Sequence, residues 1–146
     1  MILLLVVAPV LAWLCVVDAR TGRLPNAVTV PAAVLALVCS TGSAACGAFG
    51  ALLGAAGWTA VNLITFCARG MGAGDVKLAV SLGALVGWTA GRAGAAPIVV
   101  PVVALVAAIL LAQVLTVAWA AAVRSPRCPH GPPMCAAAAL VTVLSS

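Results

Sequence analysis

In this chain of 146 residues, 66% are hydrophobic and 6% charged, and the mean hydropathy is +1.32. A soluble domain of this size leaves about a third of its chain surface wet and has nowhere to hide so much apolar area, so the composition excludes a soluble globular fold and points to a polytopic membrane bundle. The net charge of +5 comes from basic residues dispersed among expected loops, so membrane topology accounts for it and no nucleic-acid partner is expected.

No polar stretch is long enough to fold outside a bilayer. Residues 1–146 therefore read as a single all-α transmembrane domain, a bundle of about six helices. The amino terminus lacks a basic region, and Ala12, Trp13 and Leu14 before Cys15 are too bulky for a leader cleavage site. It reads as a first transmembrane helix, about Ile2 to Val17, ending at Asp18. The polar turn Ala19 to Asn26 follows, punctuated by Gly22 and Pro25. Helix two spans roughly Ala27 to Ser40, with Pro31 tolerated in its early turns, and the linker Thr41-Gly42-Ser43 is expected to end it. Helix three, about Ala44 to Ala68, is long enough to cross with tilt. The segment Arg69 to Lys77 leads into helix four, about Val76 to Thr89, and the linker Ala90 to Ala96 into helix five, about Pro97 to Val123, which Pro101 interrupts near its start. A loop carrying Arg124, Arg127, Cys128 and His130 precedes a last apolar run, Pro132 to Leu144, which is short for a span.

Charge then orients the bundle. The turns after helices one, three and five hold Arg20, Arg23, Arg69, Lys77, Arg124 and Arg127, whereas those after two and four hold only Arg92. This alternation predicts that both termini lie outside and that the basic turns face the cytoplasm of a plasma (inner) membrane. Glycines at 47, 50, 54 and 57 form a small-residue stripe on helix three, matched by Gly83 and Gly87 on helix four, a pattern that lets helices approach closely in lipid.

The acidic residues are more telling. The chain has two, Asp18 and Asp75, and no glutamate. A carboxylate at a helix centre in a bilayer costs about 2.5–3.5 kcal/mol, less near an end, so each is a functional candidate. Both are expected at the cytoplasmic ends of their helices. Two carboxyls that meet there share a proton. One can act as base on a water while the other polarises a peptide carbonyl, without metal or cofactor. Gly72 and Gly74 around Asp75 would permit an unwound backbone facing a water-filled cavity. Plainer readings stand beside these: Asp18 as a partner for Arg20 or Arg23, Asp75 as a residue favoured by a helix dipole, Lys77 as a snorkelling cation, and His130 as a solvated loop residue. Asn62 and Gln113, within apolar runs, read as interhelical hydrogen bonders. The six cysteines show no metal-ligand spacing and read as small hydrophobes. Cys39 and Cys46 flank the linker at 41–43, where a disulfide is conceivable.

The run Gly72-Ala73-Gly74-Asp75-Val76-Lys77-Leu78, followed by Gly83 and Gly87-Trp88, resembles the GxGD motif and following helix of the type IV prepilin peptidases. Asp18 with Arg23-Leu24-Pro25-Asn26 resembles that family's first-aspartate segment, although Asn26 stands where many members have Asp. Pro129-His130-Gly131-Pro132 is similar to the Pro-x-Gly-Pro signature of its last helix. The resemblance implies an aspartic endopeptidase that removes the basic leader from prepilin-like precursors at the cytoplasmic membrane face. Asp18 and Asp75 would be its catalytic pair, with Gly72, Gly74 and Lys77 as supporting motif residues. Larger members carry an amino-terminal cytoplasmic region with paired C-x-x-C motifs and methylate the new pilin terminus. With nothing before the first helix, the resemblance here is to the short, peptidase-only members, including those of tight-adherence systems, and to archaeal preflagellin peptidases. Neither methylation nor zinc is expected. Two other functions fit the same residues: a GxGD peptidase for other membrane or signal-peptide substrates, and a non-enzymatic transporter or assembly subunit whose aspartates bind protons or cations.

Overall fold

The computed structural model describes residues 2–92, 96–123 and 129–145, with the side chains of 2–8 and 11 excepted. They form six helices: α1 Ile2–Thr21, α2 Asn26–Ala45, α3 Gly50–Cys67, α4 Ala73–Arg92, α5 Val99–Val123 and α6 Gly131–Leu144. Three of them, α2, α3 and α5, are long and apolar enough to cross a membrane. Their outward residues, among them Leu35, Ile64, Val103 and Leu110, are exposed apolar side chains, which suit lipid rather than water. The α6 helix has 14 residues, about 21 Å at 1.5 Å per residue and short of a 30 Å hydrocarbon core.

Helix α4 is the least apolar of the six and the most enclosed. It packs against α2, α3, α5 and α6 and buries Leu78, Ala79, Leu82, Val86 and Ala90. A helix walled by other helices has no need of a lipid-facing stripe, which is why its composition can carry Asp75, Lys77 and Arg92. Around it gather Trp58 from α3, Leu105 and Ala108 from α5, Met134 and Ala138 from α6, and Leu14 from α1. The α1 backbone itself comes close only to α6 among the described residues.

The tightest pairing is α3 on α4, and glycine makes it. A β-carbon at Gly54 would strike the Gly83 carbonyl, and one at Gly83 would strike Gly54; Gly50 and Gly87 form a second reciprocal pair. The expected stripe is thus right for Gly50, Gly54, Gly83 and Gly87. It is wrong for two others: Gly57 faces Leu105 of α5, and Gly47 lies outside the helix at φ +85° with open space around it.

Several helix boundaries differ from expectation for local reasons. The α1 helix continues a turn past Asp18. It stops at Gly22, which takes φ +60° while its N–H donates to the Asp18 carbonyl at 2.7 Å, a left-handed terminator. Thr41-Gly42-Ser43 does not break α2: the Thr41 and Ser43 hydroxyls donate to the Leu37 and Cys39 carbonyls at 2.9 and 2.8 Å. The polar residues are satisfied by the helix that they were expected to end. The stop is Gly47, so α3 starts at Gly50. Cys39 and Cys46 therefore lie along and just past one continuous helix. Seven residues of rise separate them by about 10 Å, beyond the roughly 7 Å that a disulfide spans between Cα atoms; both are free. Pro101 does not interrupt α5. It lies buried in the first turn, where its missing N–H has no helical acceptor to lose.

Candidate active site

The turns after α1 and α3 and the residues just before α6 converge at one end of the bundle, with the starts of α4 and α6 between them. A cavity of about 490 Å³ opens there. It is lined by Asp18 and Gly22 from the end of α1, residues 69–72 and Asp75 from the α3–α4 turn, Thr116, Val117 and Ala120 from α5, and Pro129 and His130 before α6. The fold thus brings Asp18 and Asp75, 57 positions apart in sequence, to one cavity. Arg69 and His130, described basic residues of that end, share its wall; Arg124, Arg127 and Cys128 lie outside the described residues.

Both carboxyls are buried, Asp18 at 4% exposure and Asp75 at 8%. Each also sits at a helix amino terminus, by two different routes. Asp75 occupies the first turn of its own helix, its N–H donating to the Gly72 carbonyl at 3.2 Å. Asp18 lies near the wrong end of its own helix for a carboxylate, yet its Oδ2 accepts the Gly131 N–H at 3.1 Å at the start of α6. Pro132 and Pro133 follow and have no N–H, so Gly131 is the donor that this helix end presents there. Free amides and the aligned peptide dipoles both favour a negative charge at such a position. The alternative of an Asp18 ion pair with Arg20 or Arg23 is not what forms: those two side chains are exposed, and Asp18 is bonded to α6.

Gly131 is where the tail signature acquires a physical meaning. A β-carbon there would lie 2.5 Å from Asp18 Oδ2, closer than real contacts permit. Gly131→Ala is accordingly expected to push the carboxyl out of register. A misplacement of about 1 Å costs on the order of 100-fold in rate, so any hydrolysis that depends on this carboxyl should fall by one to two orders of magnitude in the variant with helicity retained. Turnover within about twofold of wild type would show that the contact is not needed.

Gly72 lies in the non-helical segment just before α4, as expected of irregular backbone there, whereas Gly74 departs from the expectation. Neither adopts positive φ, and Gly74 lies within α4, so the irregular backbone stops at Gly72 and Asp75 itself is helical. Gly74 instead allows the α1–α2 turn to press on the helix: a β-carbon would meet Leu24 Cβ at 3.1 Å. One at Gly72 would meet Asp75 Oδ2 at an ordinary 3.6 Å. Lys77 does not reach outward alone; its Nζ donates to Asn26 Oδ1 at 2.8 Å, joining α4 to the start of α2. Asn62 does act between helices. It is 1% exposed, and its Nδ2 donates to the Asp75 carbonyl at 3.4 Å and faces Met134 Sδ at 3.5 Å. Gln113, by contrast, is exposed on α5.

His130 departs most from expectation. It is half-buried on the cavity wall, and burial lowers its pKa below the ordinary histidine value, opposed by the charge of Asp18 and a hydrogen bond to Gly70. A Pro-rich loop suggested solvent; the cavity it borders forms only when α1, α3 and α6 assemble. Arg69 was likewise seen only as a topological charge. It holds φ +60°, an uncommon backbone state for a residue with a side chain. Among the described residues no cluster of three or more metal-ligating side chains occurs.

Fold and site together define a class: a helical membrane protein with two buried carboxyls facing one cavity, an arrangement able to hold a water between an acid and a base. The model of the type IV leader peptidase family matches residues 5–121, and the chain belongs to that family. No match was found among curated proteins or among solved structures.

Proposed function

We propose that this integral membrane protein is an aspartic endopeptidase that removes the leader of type IV prepilin-like precursors at the cytoplasmic face of the plasma membrane, with Asp18 and Asp75 as its catalytic pair. The observation that carries the reading is the meeting of the two buried aspartates on one cavity. In the cycle that this geometry supports, a water between the carboxyls loses a proton to the ionised one and attacks the scissile carbonyl. The protonated partner donates to that oxygen, and the roles exchange as the amine departs. The α6 amino terminus supports charge on Asp18 through Gly131. Asn62 supports the placement of Asp75 by holding its carbonyl. Gly74 and Lys77 support the packing of the α1–α2 turn and α2 against α4.

The end of the bundle that holds the cavity also holds Arg20, Arg23, Arg69 and Lys77, which favours its cytoplasmic orientation. Purified protein in lipid should cut a prepilin with its basic leader and spare an ordinary secretory signal peptide. Equal cutting of both would favour the broader GxGD reading. Aspartate-dependent ion flux without proteolysis would replace the enzyme with an ion-binding subunit.

A further inference from the structure

Helices α2 and α3 end in the same hydrogen-bonded form, with different residues at its critical position. After α2, the Gly47 N–H donates to the Ala44 carbonyl and the Ala48 N–H to the Ser43 carbonyl, both at 2.9 Å, and Gly47 takes φ +85°. After α3, the Arg69 N–H donates to the Phe66 carbonyl at 2.9 Å and the Gly70 N–H to the Thr65 carbonyl at 3.0 Å, and Arg69 takes φ +60°. This pair of bonds needs a left-handed residue, which is ordinarily glycine because a β-carbon is strained there. Among the described residues Arg69 alone has positive φ without being glycine, although Gly70 stands next to it in the chain. A cation needed only to orient the bundle can stand on ordinary backbone, as Arg20 and Arg23 do at the same end. Strain of this kind persists where a side chain is required at that place, and such places cluster at functional sites. Here the place is the cavity of the aspartates, whose wall includes Arg69. Its side chain is exposed and, among the described residues, makes no ion pair or hydrogen bond.

We propose that Arg69 is a substrate-binding residue, whose guanidinium donates to an oxygen of the precursor chain beside the scissile bond, either a main-chain carbonyl or an acidic side chain. The proposal rests on the peptidase reading. A guanidinium is a planar fork of N–H donors that stays charged at any working pH, and with no carboxylate of its own chain holding it, it is free to take an acceptor that enters the cavity. It gives and receives no proton in the reaction, which is left to the aspartates. Its loss therefore weakens binding and spares the chemical step. The strained backbone adds a second signature: glycine at position 69 relieves the left-handed residue while it removes the donor, so stability and affinity move in opposite directions.

The test uses full-length protein in lipid as wild type, Arg69→Gly and Arg69→Lys, with steady-state leader removal and thermal melting as readouts. Arg69→Gly should melt at or above the wild-type temperature, and its KM should rise about tenfold with kcat within about threefold of wild type. Arg69→Lys keeps the cation and the strain, and its KM should stay within about threefold of wild type. A KM for Arg69→Gly within about twofold of wild type would overturn the proposal. So would a lower melting temperature for Arg69→Gly, which would make the side chain structural, or a KM for Arg69→Lys as high as that for Arg69→Gly. Precursors whose acidic residues beside the cut are changed to the matching amides tell the two acceptors apart: KM for wild type rises if a carboxylate is the partner and holds if a main-chain carbonyl is. If wild-type protein cuts no leader at all, the peptidase reading fails and takes this proposal with it; cutting by wild type with KM unchanged in Arg69→Gly removes this proposal alone.

Discussion

Asp18→Asn and Asp75→Asn should each reduce leader removal by more than about 1,000-fold while the protein still inserts and folds. General acid–base catalysis by a positioned group contributes about 10²–10⁴-fold, and an amide in either place removes both the proton that must be given and the base that must receive it. Folding should survive because the change is isosteric. At position 18 the carbonyl of the introduced amide can still accept the Gly131 N–H that Asp18 Oδ2 accepts at 3.1 Å, and Asp75 is held through its backbone by Asn62 and Gly72. Co-expression with a cognate prepilin, read by the mobility of the processed pilin, measures both effects. Because the two carboxyls act as a unit, the double variant should be no worse than either single one. Processing by either single variant within about tenfold of wild type would reject the pair as the catalytic machinery.

Gly54→Val should be the most destabilising single change in the bundle. Elsewhere a glycine within a helix is a weakness: replacement by alanine gains up to about 1 kcal/mol of helix propensity. Gly42 on α2 is such a place, with nothing within 4 Å of an added β-carbon, and Gly42→Ala should be neutral or mildly stabilising. At Gly54 the atom in the way is the Gly83 backbone carbonyl, which cannot rotate aside as a side chain can. The helices must separate, and overpacking of this kind costs about 1–3 kcal/mol or more. Gly57→Ala is the instructive intermediate, since the atom it meets is the end of the Leu105 side chain. Denaturant titration in micelles, comparing the three variants, should rank Gly54→Val well below Gly57→Ala and Gly57→Ala below Gly42→Ala. Equal stability of Gly54→Val and wild type would mean that the α3–α4 contact is not as close as described.

These two predictions draw on different kinds of legibility. The aspartates could be found by scarcity alone: in a chain with two acids, both where an apolar run meets a turn, the expense of a charge in lipid makes each one conspicuous. The glycine stripe was visible as spacing, but spacing does not say which neighbour a face meets, and Gly47 and Gly57 were assigned with the rest. Helix ends differ from expectation where polar residues bond to their own helix, as at Thr41 and Ser43. A hydroxyl reads as a loop signal until its acceptor is known. His130 and Arg69 are visible in the sequence only as part of the tail signature and as a loop charge, and neither mark says that the residue lines the cavity.

What the sequence by itself determined is the solvent and the material: the hydropathy demands a helical bundle in a bilayer, and the rarity of acid singles out Asp18 and Asp75 as candidates. Those are consequences of composition and of short-range order along the chain. Only the tertiary structure decided that Asp18, placed unfavourably on its own helix, is received by the amino terminus of another. It also decided that Gly74 serves close packing. Those properties depend on which helix ends meet in space, and contacts between residues 113 positions apart, such as Asp18 and Gly131, leave no periodicity in the chain from which to read them.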